Sequence, residues 1–424
     1  MSNDYAITRV LHCGVGITKW MQLGLNMMKM AAGGVGKNST PGEQREVIWK
    51  AYDDIFHHIL PDVVEELDPT TDYWPSSPMQ DLSQSKAQHA TFDSLQQGDI
   101  HYWDVWHGLK PLEEYKKYVG RFMSEYGFQS FPEKKTVLSY AEENDLELES
   151  EVMLHHQKNG DGNRLIKNYM QMYYKDPKDF SSFLYLSQTL QADAIKSAIE
   201  AHRLNKPFCM GTLYWQLNDC WPVASWASMD YYGRWKALQY TVKDRYKDIA
   251  LIIDKQGSEC NFYIVSDILD NVSAELTIKL FDRNGNLLYE NKELVLAGAN
   301  TSTLVKSEKV DKIIQYKKQE QPIVLRGIIE ANKKLIDAVD IFFEPIKDLT
   351  LEKPNITYEL IEEDGVTCAY LKSEKLAKDV WLETDKEGYF SENKFNLIPG
   401  EKKKIHFFER SSNVNSPHHL FLEI

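Results

Sequence analysis

Residues 121–132 read Arg-Phe-Met-Ser-Glu-Tyr-Gly-Phe-Gln-Ser-Phe-Pro. One carboxylate, Glu125, stands inside this aromatic and apolar run, which a proline closes. Most carboxylates are solvated surface groups. One that projects from an apolar strand-like run needs a hydrogen-bonding or chemical reason to be there. Two further runs carry the same mixture: Gly-Asp-Ile-His-Tyr-Trp-Asp-Val-Trp-His-Gly at 98–108 and Gly-Thr-Leu-Tyr-Trp-Gln-Leu-Asn-Asp-Cys-Trp-Pro at 211–222. The strand candidates are then Asp72–Trp74, Ile100–Trp106, Arg121–Gly127 and Pro207–Gln216.

Helical periodicity flanks and separates these runs. In 41–67, Val47, Ile48, Ala51, Tyr52, Ile55, Phe56, Ile59 and Leu60 recur at steps of three and four, and Pro61 stands where the stripe pauses. Residues 162–203 repeat the pattern through Phe180, Phe183, Leu184, Leu190, Ile195, Ala198 and Ile199. Helices alternating with short apolar runs signify βα units around a parallel sheet, and these four candidates make half of an eight-stranded (β/α)8 TIM barrel. After Asp248 the pattern turns to two-residue alternation. Ile249–Ile253, Asn261–Val265, Ala274–Phe281, Leu287–Glu290 and Ile323–Ile328 read as strands, with a hairpin signal at Asn284-Gly285. A second group runs from Ile356 through Tyr370, Val380–Glu383 and Lys404–Phe408. The fold class expected is multidomain α/β plus all-β. Residues 39–245 form the partial barrel, and 246–346 and 347–424 are two immunoglobulin-like β-sandwiches.

Composition narrows the functions. The chain has 424 residues, 42% hydrophobic and 26% charged, with a net charge of −14. Nucleic acid and anionic membrane surfaces both need clustered Lys and Arg, so neither is expected as a partner. No window approaches the ~20 apolar residues of a membrane span. The five cysteines form no CxxC pair, which removes thiolate-metal and disulfide-scaffold readings. Gly33–Lys37 lacks the spacing of a phosphate loop.

A retaining glycosidase supplies the chemical reason for Glu125: a carboxylate that attacks the anomeric carbon. Trp103 and Trp215 would floor the sugar's apolar face, although a tryptophan packs in a core as often. His101, Gln216, Asn218 and Asp219 would bind hydroxyls, although Asn-Asp is also a turn former. His155 and His156 have no third ligand at metal spacing and read as packing residues.

Ser-Glu-Tyr-Gly-Phe-Gln-Ser-Phe-Pro at 124–132 resembles the nucleophile motif of glycoside hydrolase family 2, in its β-mannosidase branch. Gly-Thr-Leu-Tyr-Trp-Gln-Leu-Asn-Asp at 211–219, Trp221-Pro222 and Asp230-Tyr-Tyr-Gly-Arg-Trp-Lys-Ala-Leu238 resemble the same branch. The resemblance implies that Glu125 is the nucleophile at the end of the seventh barrel strand, with Trp215 at the eighth. It implies release of terminal β-D-mannose from oligosaccharides with retention, using no metal or other cofactor. Siblings in the family, β-galactosidase and β-glucuronidase, fit these runs less well. A non-catalytic carbohydrate-binding protein is the reading from another class.

Retention needs a second carboxylic acid about 5–5.5 Å from the nucleophile. In the family it ends a Trp-Cys-Gly-Asn-Asn-Glu run on the fourth strand, where this chain reads His12-Cys13-Gly14-Val15-Gly16-Ile17. Isoleucine donates no proton. Yet joining the last base of each codon to the first two of the next, from Asn3 to Lys19 with third bases free, permits the family's run in full. Residues 1–38 are therefore expected to be an out-of-frame segment. The partner expected, beside a mannose-containing oligosaccharide, is the upstream half of the split gene product, and the 424-residue chain is expected to be inactive alone.

Overall fold

The computed structural model describes residues 42–79, 95–309 and 324–410. Residues 1–38, expected to be out of frame, and with them His12–Ile17, lie outside the described residues. The chain divides into two compact units, residues 1–102 with 120–125, and residues 103–119 with 126–424.

In the first unit, α1 (Gly42–Asp53), a π-helical turn (Asp54–Ile59) and α2 (Leu60–Leu67) follow one another directly. The π turn answers Pro61. Proline has no N–H and its ring presses on the carbonyl four residues back, so a wider turn before it relieves the clash. There the Leu60 N–H reaches the Ile55 carbonyl. Tyr52, Phe56 and Trp49 cluster on one side, and the Tyr73 hydroxyl donates to the Phe56 carbonyl (2.8 Å). Burial pushes the Tyr73 phenol up to about 12. Asp72–Trp74, expected as a strand, is irregular. A strand needs a ladder partner, and no described residue supplies one here.

Two strands follow. β1 (Ile100–His101) and β2 (Phe122–Glu125) are parallel, with Ile100 opposite Met123 and His101 opposite Glu125. Both are shorter than their expected runs. Met123 is fully buried, whereas Phe122 is 39% exposed, so the strand is covered at Met123, on the face that also carries Glu125. Gly120 leads into β2, and a Cβ there would come within 2.3 Å of Ile100 Cδ1. A larger residue there would force the Ile100 side chain to shift.

The second unit begins with a turn over 104–108. The helical pattern of 162–203 forms two helices, α3 (Gly162–Tyr173) and α4 (Phe180–Leu204). Pro177 disfavours helix at the residue before it. Asp179 then caps α4 by accepting from the Ser182 N–H (2.7 Å). β3 (Gly211–Thr212) is much shorter than its expected run, and α5 (Ala237–Arg245) leads into the β region.

That region begins with β4 (Ile249–Gln256), β5 (Glu259–Ser266), β6 (Val272–Phe281), β7 (Leu287–Ala297), β8 (Ser302–Lys309), β9 (Val324–Ala331) and β10 (Lys334–Phe342). They build sheets of order β4-β5-β8 and β10-β9-β6-β7. Alternate residues interleave between them, among them Leu251, Phe262, Ile264, Leu276, Ile278, Leu325 and Ile329. The expected Asn284-Gly285 hairpin joins β6 to β7, with Gly285 at φ +81°, and Asp282 Oδ1 caps it by accepting from the Asn284 and Asn286 N–H groups (2.8 Å each). Then come β11 (Ile356–Glu363), β12 (Val366–Ser373), β13 (Ala377–Val380), β14 (Gly388–Phe390), β15 (Phe395–Leu397) and β16 (Lys403–Glu409). Their sheets are β11-β12-β16-β14 and β13-β15. The expected strand Val380–Glu383 thus ends where it was to begin, after Asp379 adopts φ +52°. Tyr240 of α5 belongs to the core of this second pair of sheets.

Ion pairs tie α4 and α5 to the sheets. The buried Arg245 guanidinium grips both oxygens of buried Asp337 on β10 (3.0 and 3.1 Å) and donates to the Leu251 carbonyl (3.0 Å). Asp337 also accepts from the Leu251 N–H (2.9 Å). Lys394, before β15, reaches Asp193 of α4 (2.7 Å) and Asp379 (3.2 Å).

Candidate active site

In the first unit the parallel register sets His101 beside Glu125, with His101 Nδ1 3.7 Å from Glu125 Oε1. The side chains keep 12% and 21% of their surface exposed. Glu125 is thus neither sealed in nor free in solvent, which suits a group that must meet a ligand. The Tyr102 N–H holds the Glu125 carbonyl (2.8 Å), fixing the backbone from which the carboxylate projects. Behind the pair, His101 Nε2 lies 2.9 Å from Ser77 Oγ. Ser77 and Ser124 both donate to Asp99 Oδ2, the latter over 2.5 Å. Asp99 Oδ1 accepts from the Met79 N–H (2.9 Å).

Sequence reasoning singled out neither Asp99 nor Ser77 nor Ser124. A signal existed for Asp99. It stands two residues before His101 on a strand-like run, and period-two alternation puts both on one face.

In the second unit, Gly127 is the meeting point of Trp103 and Trp215. A Cβ at Gly127 would lie 2.5 Å from the Trp215 carbonyl oxygen and 2.8 Å from Trp103 Cη2. Residues 127 and 215 pair in parallel fashion, and the Trp215 N–H donates to the Tyr126 carbonyl (2.7 Å). The Trp103 indole also packs edge-on against Trp226, centroids 6.1 Å apart, and near His107 at 5.2 Å. Both tryptophans remain partly exposed.

Beyond Trp215 the peptide to Gln216 is cis. Gln216 Nε2 donates to the Asn218 carbonyl (2.8 Å) and Asp219 Oδ1 (3.3 Å). Asn218 is exposed. Asp219 is buried, accepting from Ser225 Oγ (2.5 Å) and Lys158 Nζ (3.0 Å). Its carboxylate anchors the turn, whereas the Asn218 side chain faces outward. Nearby Lys236 is fully buried and donates to the Ser130 and Ser225 carbonyls (3.3 and 3.4 Å). Burial pulls its ammonium down to about 7 against the attraction of Asp219 and Asp230.

The 230–238 run is a fastening. Asp230 accepts from the Tyr232 and Arg234 N–H groups (2.9 Å each), and Trp235 stacks on Tyr389 of β14 (4.6 Å, 14°). His156 stacks on Tyr140 (3.8 Å, 2°) and its Nδ1 lies 2.7 Å from the Pro222 carbonyl, a packing role. Among the described residues no three His, Cys, Asp or Glu side chains converge as a cation site, and no helix is long and apolar enough to cross a membrane.

Comparison with known proteins places this geometry. Residues 258–348 match a family model described as a mannosidase Ig/CBM-like domain, and residues 351–419 one described as an Ig-fold domain. Beta-mannosidase B of Aspergillus clavatus is 29% identical over 378 residues, covering 83% of this chain and 43% of that protein. The enzyme of the same name from Thermothelomyces thermophilus is 27% identical over 379 residues, 82% of this chain and 43% of its own length. Among solved structures, beta-D-mannosidase from Dictyoglomus thermophilum superposes with a TM-score of 0.75 at 29% identity, covering 88% of this chain and 44% of that one. The exo-chitosanase CsxA of Amycolatopsis orientalis, at 14% identity and TM-score 0.52 over 68% of this chain and 40% of its own, shares the fold. The chain spans less than half the length of the relatives it matches. Over more than four fifths of its own length it is similar to proteins named β-mannosidases.

Proposed function

We propose that this chain carries the nucleophile-bearing part of a retaining exo-β-mannosidase that releases terminal β-D-mannose. The observation that carries this is Glu125, which ends a parallel strand beside His101 with part of its carboxylate exposed. In the reaction an oxygen of Glu125 attacks the anomeric carbon as the glycosidic oxygen leaves with a proton from a second carboxylic acid. Water, deprotonated by that second group, then releases mannose and restores Glu125. In the first unit His101 meets a hydroxyl of the sugar beside Glu125. In the second, Trp103 and Trp215 offer indoles suited to an apolar sugar face, Gln216 and Asn218 offer polar groups suited to hydroxyls, and Asp219 holds their turn.

In this reading residues 39–245 are the C-terminal half of a (β/α)8 barrel, followed by sandwiches at 246–346 and 347–424. The chain supplies no acid at the position of Ile17. Without that acid, the 424-residue chain alone turns over no substrate.

The test is a panel of aryl glycosides given to the 424-residue chain and to a repaired protein carrying the Trp-Cys-Gly-Asn-Asn-Glu run with its upstream domains. The repaired protein cleaves the β-mannoside, and Glu125→Gln lowers its kcat by roughly a thousandfold or more. Turnover by the 424-residue chain, or an unimpaired Glu125→Gln enzyme, overturns the proposal. Tight mannose binding by the repaired protein without turnover would favour a carbohydrate-binding function instead.

A further inference from the structure

We propose that Asp99 and Ser77 are positioning residues for Glu125, acting through the tautomer of His101. The inference rests on Glu125 being the nucleophile, but its chemistry is read from the hydrogen bonds alone. Ser77 has one hydroxyl hydrogen and gives it to Asp99 Oδ2, which also accepts from Ser124. A carboxylate has only acceptors to offer, so neither serine can be served from it. With its hydrogen committed, Ser77 Oγ meets His101 Nε2 at 2.9 Å only as an acceptor. Nε2 must therefore carry the ring hydrogen, and in the neutral imidazole Nδ1 carries the lone pair.

Nδ1 is the nitrogen that faces Glu125. Its 3.7 Å separation from Oε1 exceeds the hydrogen-bonding range, which is compatible with two facing acceptors. The consequence for the reaction is direct. The opposite tautomer would aim an N–H at Oε1 and draw off the electron pair that must attack the sugar. By fixing Nε2–H, Asp99 and Ser77 keep the imidazole beside the carboxylate without hydrogen-bonding it. Asp99 also fastens the 77–79 segment through the Met79 N–H, so a loss of stability on its substitution would not by itself reveal the positioning role.

The tautomer does reveal it. In the full chain with ¹⁵N-labelled histidine, two-bond ¹H–¹⁵N correlations distinguish the two ring nitrogens. The His101 signals are identified by their loss in His101→Gln, at about pH 8, above the ordinary imidazole range. The wild-type chain shows Nε2–H. In Asp99→Asn the carboxamide oxygen stays with the Met79 N–H and its NH₂ turns to the serines. Ser77 is then free to donate to Nε2, and the protonated and unprotonated ¹⁵N positions of His101 exchange. Ser124→Ala, which leaves the Asp99–Ser77–His101 chain intact, keeps the wild-type pattern. Nδ1–H in the wild-type chain overturns the proposal whatever the variants do, as does a folded Asp99→Asn that keeps Nε2–H. The readout requires no turnover, so a failure here is separable from a failure of the glycosidase reading.

Discussion

Two helical segments of this chain carry the same three- and four-residue apolar period, and one buries it far more completely than the other. In α4 the periodic residues Phe183, Leu184, Leu190, Ile195, Ala198 and Ile199 are all buried. Along α1, the π turn and α2, Val47, Ile55, Ile59, Leu60, Val63 and Leu67 stand exposed, Val47 and Leu67 by 70% and 76%. An amphipathic stripe says that a helix has a face to bury. Whether anything buries it depends on partners from elsewhere in the chain or from another one.

The contrast can be broken most sharply at Arg245. Arg245→Ala removes the two-oxygen grip on buried Asp337 and leaves it only Lys247 Nζ at 3.4 Å as a cation, which should cost up to about 3–5 kcal/mol, read as a fall in the denaturant midpoint of the second unit. An unchanged midpoint would mean that the Arg245–Asp337 pair contributes nothing to joining α5 to the sheets. Next comes a matched pair. Ile195→Ala in α4 should cost about 2–5 kcal/mol through the cavity it opens. Leu67→Ala in α2 should stay within about 0.5 kcal/mol. Equal costs would show that the α2 stripe is covered in solution.

A pH dependence is expected at Glu133, just past the Phe-Pro that ends the nucleophile run. Burial, with Asp230 and Glu383 adding repulsion against Arg234 and Lys135, pushes this carboxyl up to about 8. A folded value above the unfolded one stabilises most at low pH, and that contribution is lost as pH rises from the ordinary carboxyl range through about 8. Glu133→Gln should therefore raise the melting temperature by a few degrees at about pH 9 relative to wild type and change little at about pH 4. A difference of the same size at both values would refute the shift.

Much of the fold was legible because it rests on local signals. The change to two-residue alternation after Asp248 marked the β region, and Asp282-Arg-Asn-Gly carried its hairpin. The break between α3 and α4 was legible too, in Pro177 and the capping Asp179, but the stronger period on either side masked it. Asp72–Trp74 misled because aromatic and β-prone residues announce a strand only where a ladder partner exists. At the site, Glu125 and His101 could be picked out by residue type. The serines could not, since Ser77 and Ser124 matter only through an oxygen on Asp99 that both reach.

By itself the sequence determined the periods, the caps, the turn at Gly285 and the placing of one carboxylate within an apolar run, because these follow from each residue and its near neighbours. Tertiary structure alone decided that His101 lies opposite Glu125, that Asp99 reaches it through Ser77, and that Arg245 spends its charge on Asp337. Those pairings join residues many positions apart, and only chain closure sets the few ångströms on which a hydrogen bond or an ion pair depends.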